Sequence, residues 1–291
     1  NKMKTIAQFY TLFWIIYFPT CIAFNELDGF GWIDEIMTVI LMAFTFLNSS
    51  VSLNREPRGE YRLFLGILAF YVVYGLIFGE NIEKAVLRDM VQWIRPFSVI
   101  YCTWILNPRF TERQKNVMLI SMLVTLGAWF LYHPEVNVGA DAEFPVLGQL
   151  AMCTGMTWYL WKPDNQKNAY IALAIVLSGM LAPKFKFMGE VVCFVGFVFF
   201  LRGKLQFKSP KTILALVVLL AVTLYVTWEK FDIYYVSGLN SNELARPMSY
   251  RIAFTEIIWD YFPFGPGMGT WGCAAAADYY SPLLYKYHMS R

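Results

Sequence analysis

An arginine near the C-terminal end of the chain is the first candidate for chemistry. Arg251 follows Ser249, a good helix N-cap, in a segment whose apolar residues recur at helical spacing until Pro263. We therefore expect Arg251 in the first turn of this helix. A cation in the first turn interacts unfavourably with the helix dipole. An anionic ligand would offset this cost, because the helix N-terminus and the guanidinium both favour an anion. The spacing leaves two interpretations open, an anion site and an exposed surface arginine.

Two lysines form a second candidate. Lys184 and Lys186 are the basic residues of a very short loop between two long apolar stretches. They interrupt a charge pattern that otherwise keeps basic residues on the other side of a membrane. Phosphate binding explains them, and so does lysine snorkelling at a membrane interface.

A Pro/Gly-rich segment follows the predicted helix. Its turn residues are Pro263, Gly265, Gly267 and Gly269. The run 267–272 formally matches GxGxxG, but no predicted strand precedes it, so we reject a dinucleotide site. A tight turn that lets two backbones approach closely is the better interpretation.

No cofactor or metal is expected. The histidines, His133 and His288, are far apart, and the five cysteines are scattered without a CxxC pair. No GxxxxGK[ST] phosphate-binding loop is present in the sequence.

The composition indicates the class of protein that carries these residues. Of 291 residues, 57% are hydrophobic and 15% are charged, and the mean hydropathy is positive. Soluble domains have about 45–50% apolar and about 25% charged residues. This balance of hydrophobic and charged residues excludes a disordered chain and argues against an ordinary soluble enzyme. It predicts a polytopic membrane protein.

Nine apolar stretches approach the length of a membrane span. Because backbone polar groups must be satisfied internally in hydrocarbon, each stretch predicts a helix and the fold class is all-α. We predict a transmembrane helix bundle over 1–228 and an extracytoplasmic loop over 229–291. The stretches are 5–24, 32–47, 61–79, 87–106, 117–133, 146–161, 169–183, 187–201 and 212–228.

The distribution of basic residues predicts the orientation. With the N-terminus in the cytoplasm, 14 Lys and Arg residues fall in cytoplasmic segments and four in short outside loops. This asymmetry follows the positive-inside rule, and nine spans then place 229–291 outside the cytoplasm.

Ionisable residues within the apolar stretches are further candidates. Arg88 and Arg95 are seven residues apart on one face of the fourth stretch, Asp89 is adjacent, and Glu190 lies in the eighth. Such residues are functional candidates by default. Structural ion pairing, for instance of Asp89 with Arg88, explains them nearly as well.

The segment 246–287 resembles the O-antigen ligase and O-antigen or capsule polymerase superfamily, in particular members from Bacteroides-like bacteria. The likeness lies in an arginine, an aromatic-bearing helix and a Pro-x-Gly-x-Gly-x-Gly turn, all placed after many spans. Tyr279-Tyr280-Ser281-Pro282-Leu283 continues it.

The resemblance implies a glycosyltransferase of the bacterial inner membrane that works on the periplasmic face without a metal. Its donor would be an undecaprenyl-pyrophosphate-linked glycan, and its acceptor a glycan or lipid A-core. The resemblance assigns Arg251 as the essential arginine, Lys184 and Lys186 as further pyrophosphate ligands, and His288 as a candidate base. Lysine lacks the bidentate geometry of arginine.

Two other classes stay open. A lipid-linked oligosaccharide flippase or other transporter shares many spans and cationic cavities but usually shows internal repeats, and none is visible in the sequence. A structural membrane protein has no need of converging cations. No nucleic acid partner is expected, whereas membrane lipid is. Because the chain starts at Asn1 and stops at Arg291 without an obvious stop signal, we expect a fragment lacking its C-terminal part.

Overall fold

The computed structural model describes residues 2–26, 32–48, 56–79, 82–132, 145–181, 185–201, 210–237 and 245–289. All regular secondary structure in these ranges is helical, which confirms the all-α prediction. The helices are α1 (Lys2–Glu26), α2 (Ile33–Asn48), α3 (Glu56–Ile77), α4 (Glu83–Leu106), α5 (Glu112–Tyr132), α6 (Pro145–Trp161), α7 (Gln166–Ser178), α8 (Phe185–Val195), α9 (Pro210–Phe231), α10 (Ala245–Ile252), α11 (Ile258–Asp260), α12 (Ala274–Asp278) and α13 (Pro282–Lys286).

A helix lies at each of the nine predicted apolar stretches. Within the described ranges, two helical segments are long and apolar enough to cross a membrane, Pro57–Ile77 in α3 and Glu112–Leu131 in α5. A shorter apolar helical segment covers Phe187–Val198. Charge interrupts α4, which contains Arg88, Asp89 and Arg95.

The chain divides into two compact units. The first comprises Asn1–Ile6, Gly31–Arg109 and Asp232–Arg291, and the second comprises Ala7–Phe30 and Phe110–Phe231. The first unit therefore contains α2, α3, α4 and the whole C-terminal segment with its Pro/Gly turn.

Polar contacts join the long helices of the first unit, in which α4 packs against both α2 and α3. Arg95 on α4 pairs with Asp34 at 3.4 Å and Glu35 at 3.0 Å on α2. The hydroxyls of Tyr61 on α3 and Ser98 on α4 lie 2.8 Å apart. These contacts tie α4 to both of its neighbours.

Small residues allow close helix packing in the second unit, where α6 packs against α5 and α7. A Cβ added at Gly155 of α6 would lie 2.4 Å from Val176 of α7. Phe187 of α8 fills the space beside Gly148 and Gly179, where an added Cβ would lie 2.9 Å or less from its ring. Such spacing is typical of helix interfaces in membranes.

The C-terminal helix begins earlier than its sequence predicts. It starts at Ala245 and runs without a break through a π-helical turn at Ala253–Ile257 to Asp260. Arg251 therefore lies in the interior of this continuous helix, where α10 meets the π-helical turn, and Ser249 is not an N-cap. Pro247 is compatible with this start because the first N–H groups of a helix have no intrahelical acceptor. The prediction that Arg251 lies in the first turn is thus wrong, and the helix dipole gives no argument for an anion there.

Candidate functional site

The Pro/Gly turn after α11 takes a backbone path that glycine favours. Gly265, Gly267 and Gly269 have φ angles of +76°, +97° and +74°. Residues with a Cβ rarely adopt this left-handed region, whereas glycine enters it at no steric cost. The glycines thus let the chain adopt a series of tight turns within a few residues.

One side of the turn lies against the C-terminal end of α3. A Cβ added at Gly267 would be 3.1 Å from Gly75 Cα, so the two backbones are nearly in contact. The Tyr74 hydroxyl donates a hydrogen bond of 3.0 Å to the Gly265 carbonyl. The Phe264 ring packs edge-on against Phe70, with 5.5 Å between ring centroids.

The other side of the turn lies against the first turns of α4. The Gly269 N–H donates a hydrogen bond of 2.8 Å to the Asp89 carboxylate, which is only 6% exposed. A Cβ at Gly269 would lie 2.7 Å from the Ala85 carbonyl atoms. Thr270 is fully buried, and its hydroxyl donates to the Gly267 carbonyl at 2.5 Å.

The partner of Asp89 differs from the suggested one. Asp89 binds the turn rather than Arg88, and Arg88 pairs with Asp278 of α12 at 2.7 Å. Consecutive residues of a helix point about 100° apart. This divergence directs Asp89 to the buried turn and Arg88 to the half-exposed α12.

An apolar cavity of about 370 Å³ lies between α3, α4 and the turn. Asp89 is the charged residue in its wall, which also holds five aromatic rings. These belong to Phe64, Tyr71, Trp93, Phe97 and Phe264.

Arg251 and His288 are sequence neighbours of residues in one small buried cluster of the C-terminal segment. Ile252, beside Arg251, packs in a buried group with Tyr287 and Met289, which flank His288. Arg251 is half-buried, whereas the side chain of His288 is exposed. The Trp271 indole N–H donates to the Ser249 carbonyl at 3.3 Å, which ties the end of the turn to α10.

A polar group at the end of α11 joins the same cluster. The Tyr287 hydroxyl donates a hydrogen bond of 2.7 Å to Asp260, and Lys286 Nζ lies 3.2 Å from the Tyr261 hydroxyl. Burial and the bond to Asp260 raise the pKa of Tyr287 to about 12. The hydrogen bond with Tyr261 raises the pKa of Lys286.

The cysteine of the segment is poorly suited to nucleophilic chemistry. Burial raises the pKa of the Cys273 thiol, and the nearby Asp89 carboxylate acts in the same direction. Both favour the thiol over the reactive thiolate. Within the described ranges, no group of three His, Cys, Asp or Glu side chains is arranged to hold a metal.

The structure thus brings Arg251, His288 and the turn into one unit. Of the predicted lysines, Lys186 lies in the second unit, in the first turn of α8, and Lys184 lies outside the described residues. From the sequence, Asp89 is a functional candidate or an ion-pair partner of Arg88, and its contact with the turn is not predicted. The sequence signal for this contact was a carboxylate within an apolar stretch, because a buried carboxylate needs a specific partner.

Comparison with known proteins assigns no family. No family model, no curated protein and no solved structure matches this chain.

Proposed function

We propose that this chain is a membrane glycosyltransferase that polymerises or ligates an undecaprenyl-pyrophosphate-linked O-antigen or capsular glycan. It would act on the periplasmic face of the bacterial inner membrane, as a bundle of about nine spans followed by an extracytoplasmic loop. The resemblance of the segment 246–287 is its starting point.

The apolar surface of the helices supports the membrane location. The Pro57–Ile77 stretch of α3 buries only 11% of its most apolar window within the protein. Large side chains such as Leu63 and Val73 of α3 and Val124 of α5 are more than half exposed. Patches of this kind are rare on soluble monomers, whereas a lipid environment covers them.

The observation that carries the proposal is the attachment of the Arg251 helix to one end of α3. The helix continues into the turn, and the turn packs on Gly75, two residues from the end of the Pro57–Ile77 stretch. With the orientation that the charge asymmetry predicts, that end of α3 would lie outside the cytoplasm. Arg251 and His288 would then lie near the membrane surface, at the depth of a polyprenyl pyrophosphate.

The chemistry requires cations beside the leaving group. An acceptor hydroxyl attacks the anomeric carbon, the bond from this carbon to the pyrophosphate oxygen breaks, and undecaprenyl pyrophosphate leaves. His288 would accept the hydroxyl proton as general base. Arg251, with Lys184 and Lys186 as further cations, would stabilise the negative charge that develops on the leaving oxygen.

The test is an Arg251→Ala variant assayed for glycan transfer from a purified undecaprenyl-pyrophosphate donor. We expect a loss of roughly 10²–10³ in rate, the usual effect of removing one preorganised donor to a developing charge. Arg251→Lys should restore activity only in part, because lysine cannot make the bidentate contact. Lys184→Ala and Lys186→Ala should each weaken transfer.

Arg246→Ala is the matched control. This residue is a second arginine of α10, five positions before Arg251, and its replacement should leave most of the activity. Equal membrane levels of all variants must be established by immunoblot. Full transfer by a normally inserted Arg251→Ala variant would refute the proposal.

A further inference from the structure

The helix that carries Arg251 exposes an unusual number of large apolar side chains. Three of them are spaced four residues apart and are therefore neighbours along the helix. The others follow at its C-terminal end. Their exposed fractions are 41% for Tyr250, 68% for Phe254, 43% for Ile258, 71% for Trp259 and 75% for Phe262.

These side chains are not the ones that attach the helix to its own unit. That role belongs to Ile252 and Ile257, which are buried against Leu283, Tyr287 and Met289. The π-helical turn brings residues five apart onto the same side, so Ile252 and Ile257 align. The exposed set is therefore a second apolar surface, additional to the packed one.

The exposed surface adjoins a helix with the properties of a membrane span. Phe264, two residues after Phe262, is half exposed and packs against Phe70 and Tyr74 of α3. Near that contact, Val73 and Ile77 of α3 are exposed by 53% and 65%. The apolar surface of α3 thus continues through Phe264 to Phe262 at the end of the Arg251 helix.

The composition of the surface identifies its partner. Trp and Tyr are enriched where a bilayer meets water, because their rings have both apolar and polar parts. Helices of this kind lie in the plane of the interface and insert their apolar side chains beneath the headgroups. A protein partner is not needed to explain a surface that is continuous with a lipid-facing one.

We propose that the helix over residues 245–260 lies in the membrane interface and that an aromatic surface, defined by Phe254, Trp259 and, just after the helix, Phe262, docks on the outer surface of the bilayer. This inference rests on the membrane location proposed above and not on glycan transfer. It gives the segment a fixed depth, since one end is held by the turn on α3 and the rest by lipid. Arg251 is then kept at the level of lipid phosphates.

Photocrosslinking of the full chain in liposomes tests this docking. Benzoylphenylalanine replaces Phe254, Trp259 or Phe262 one at a time, in vesicles of phosphatidylethanolamine and radiolabelled phosphatidylglycerol. Tyr285 of α13 is the matched control, because it is an aromatic residue that is 66% exposed on a helix packed against the opposite side. Val73 of α3 is the positive control for contact with lipid.

We expect roughly tenfold more lipid adduct at the three helix positions than at Tyr285, because an interfacial helix inserts its apolar face about 5–10 Å. Adduct at Val73 without adduct at Phe254, Trp259 and Phe262 would overturn the docking and leave the membrane location standing. Crosslinks from those positions to a second protein would also overturn it. If Val73 also gives no lipid adduct, both the docking and the proposed membrane location are refuted.

Discussion

The C-terminal segment is held in two places of different character. At the turn, Gly267 and Gly269 bring their backbone against α3 and α4, and a carboxylate that is 6% exposed receives the Gly269 N–H. At the end of α11, Asp260 and Lys286 are about half exposed and 3.8 Å apart. The first contact is made mainly by buried backbone and the second by side chains that remain in contact with solvent.

The turn anchors the C-terminal segment, whereas the ion pair at the end of α11 can adapt. Backbone contacts without free space allow a single arrangement, since closely packed interiors do not deform continuously. Solvent-exposed ion pairs contribute about 0–1 kcal/mol and rearrange easily. We therefore expect substitutions at the turn to act on folding, and those at the end of α11 to act on stability only weakly.

The largest effect is expected for Gly269→Ala. The added Cβ meets the Ala85 carbonyl at 2.7 Å while φ stays near +74°, so both packing and backbone are strained. We expect a loss of about 3–5 kcal/mol in the free energy of unfolding, measured by denaturant titration in detergent micelles.

Gly265→Ala separates the strain of the backbone from the clash of the added Cβ. Gly265 has nearly the same φ, +76°, but an added Cβ would meet no atom within 4 Å. Its loss should be about 1–2 kcal/mol, from backbone strain alone. Equal losses for the two variants would contradict the role of the contact with α4.

An effect smaller than that of Gly269→Ala is expected for Asp89→Ala. The substitution leaves the Gly269 N–H without its buried acceptor, and a hydrogen bond to a charged group contributes about 1.5–3 kcal/mol. Asp89→Asn retains an oxygen at the same place and should lose less. If Asp89→Ala and Asp89→Asn unfold at the same denaturant concentration, the bond to the turn does not stabilise the fold.

The smallest effect is a pH dependence from the end of α11. Tyr287 has a pKa of about 12 in the folded protein against 10.0 as the reference. Below pH 10 both states keep the proton, whereas between pH 10 and 12 the unfolded chain releases it first. The free energy of unfolding should therefore fall as pH rises through this range.

Tyr287→Phe is the variant that tests this dependence. It removes the hydroxyl and keeps the ring in its buried cluster. Its unfolding curve should change less between pH 10 and 12 than that of the parent, by calorimetry in micelles. Parallel curves for the two proteins would show that Tyr287 does not titrate differently in the folded state.

The sequence by itself determined the features that depend on near neighbours. Long apolar stretches form helices because an unpaired backbone is costly in an apolar environment, and every such stretch contains one. The C-terminal helix ends before Pro263, which cannot continue it. The glycine-rich run after it adopts positive φ angles that other residues avoid.

Only the tertiary structure decided which groups meet. Asp89 and Gly269 are 180 residues apart, and no local period encodes their hydrogen bond. The choice of Asp278 rather than Asp89 as the partner of Arg88 depends on the direction of each side chain from α4. The alignment of Ile252 with Ile257 likewise accompanies their burial against Leu283 of α13, because packing overrides weak local preferences.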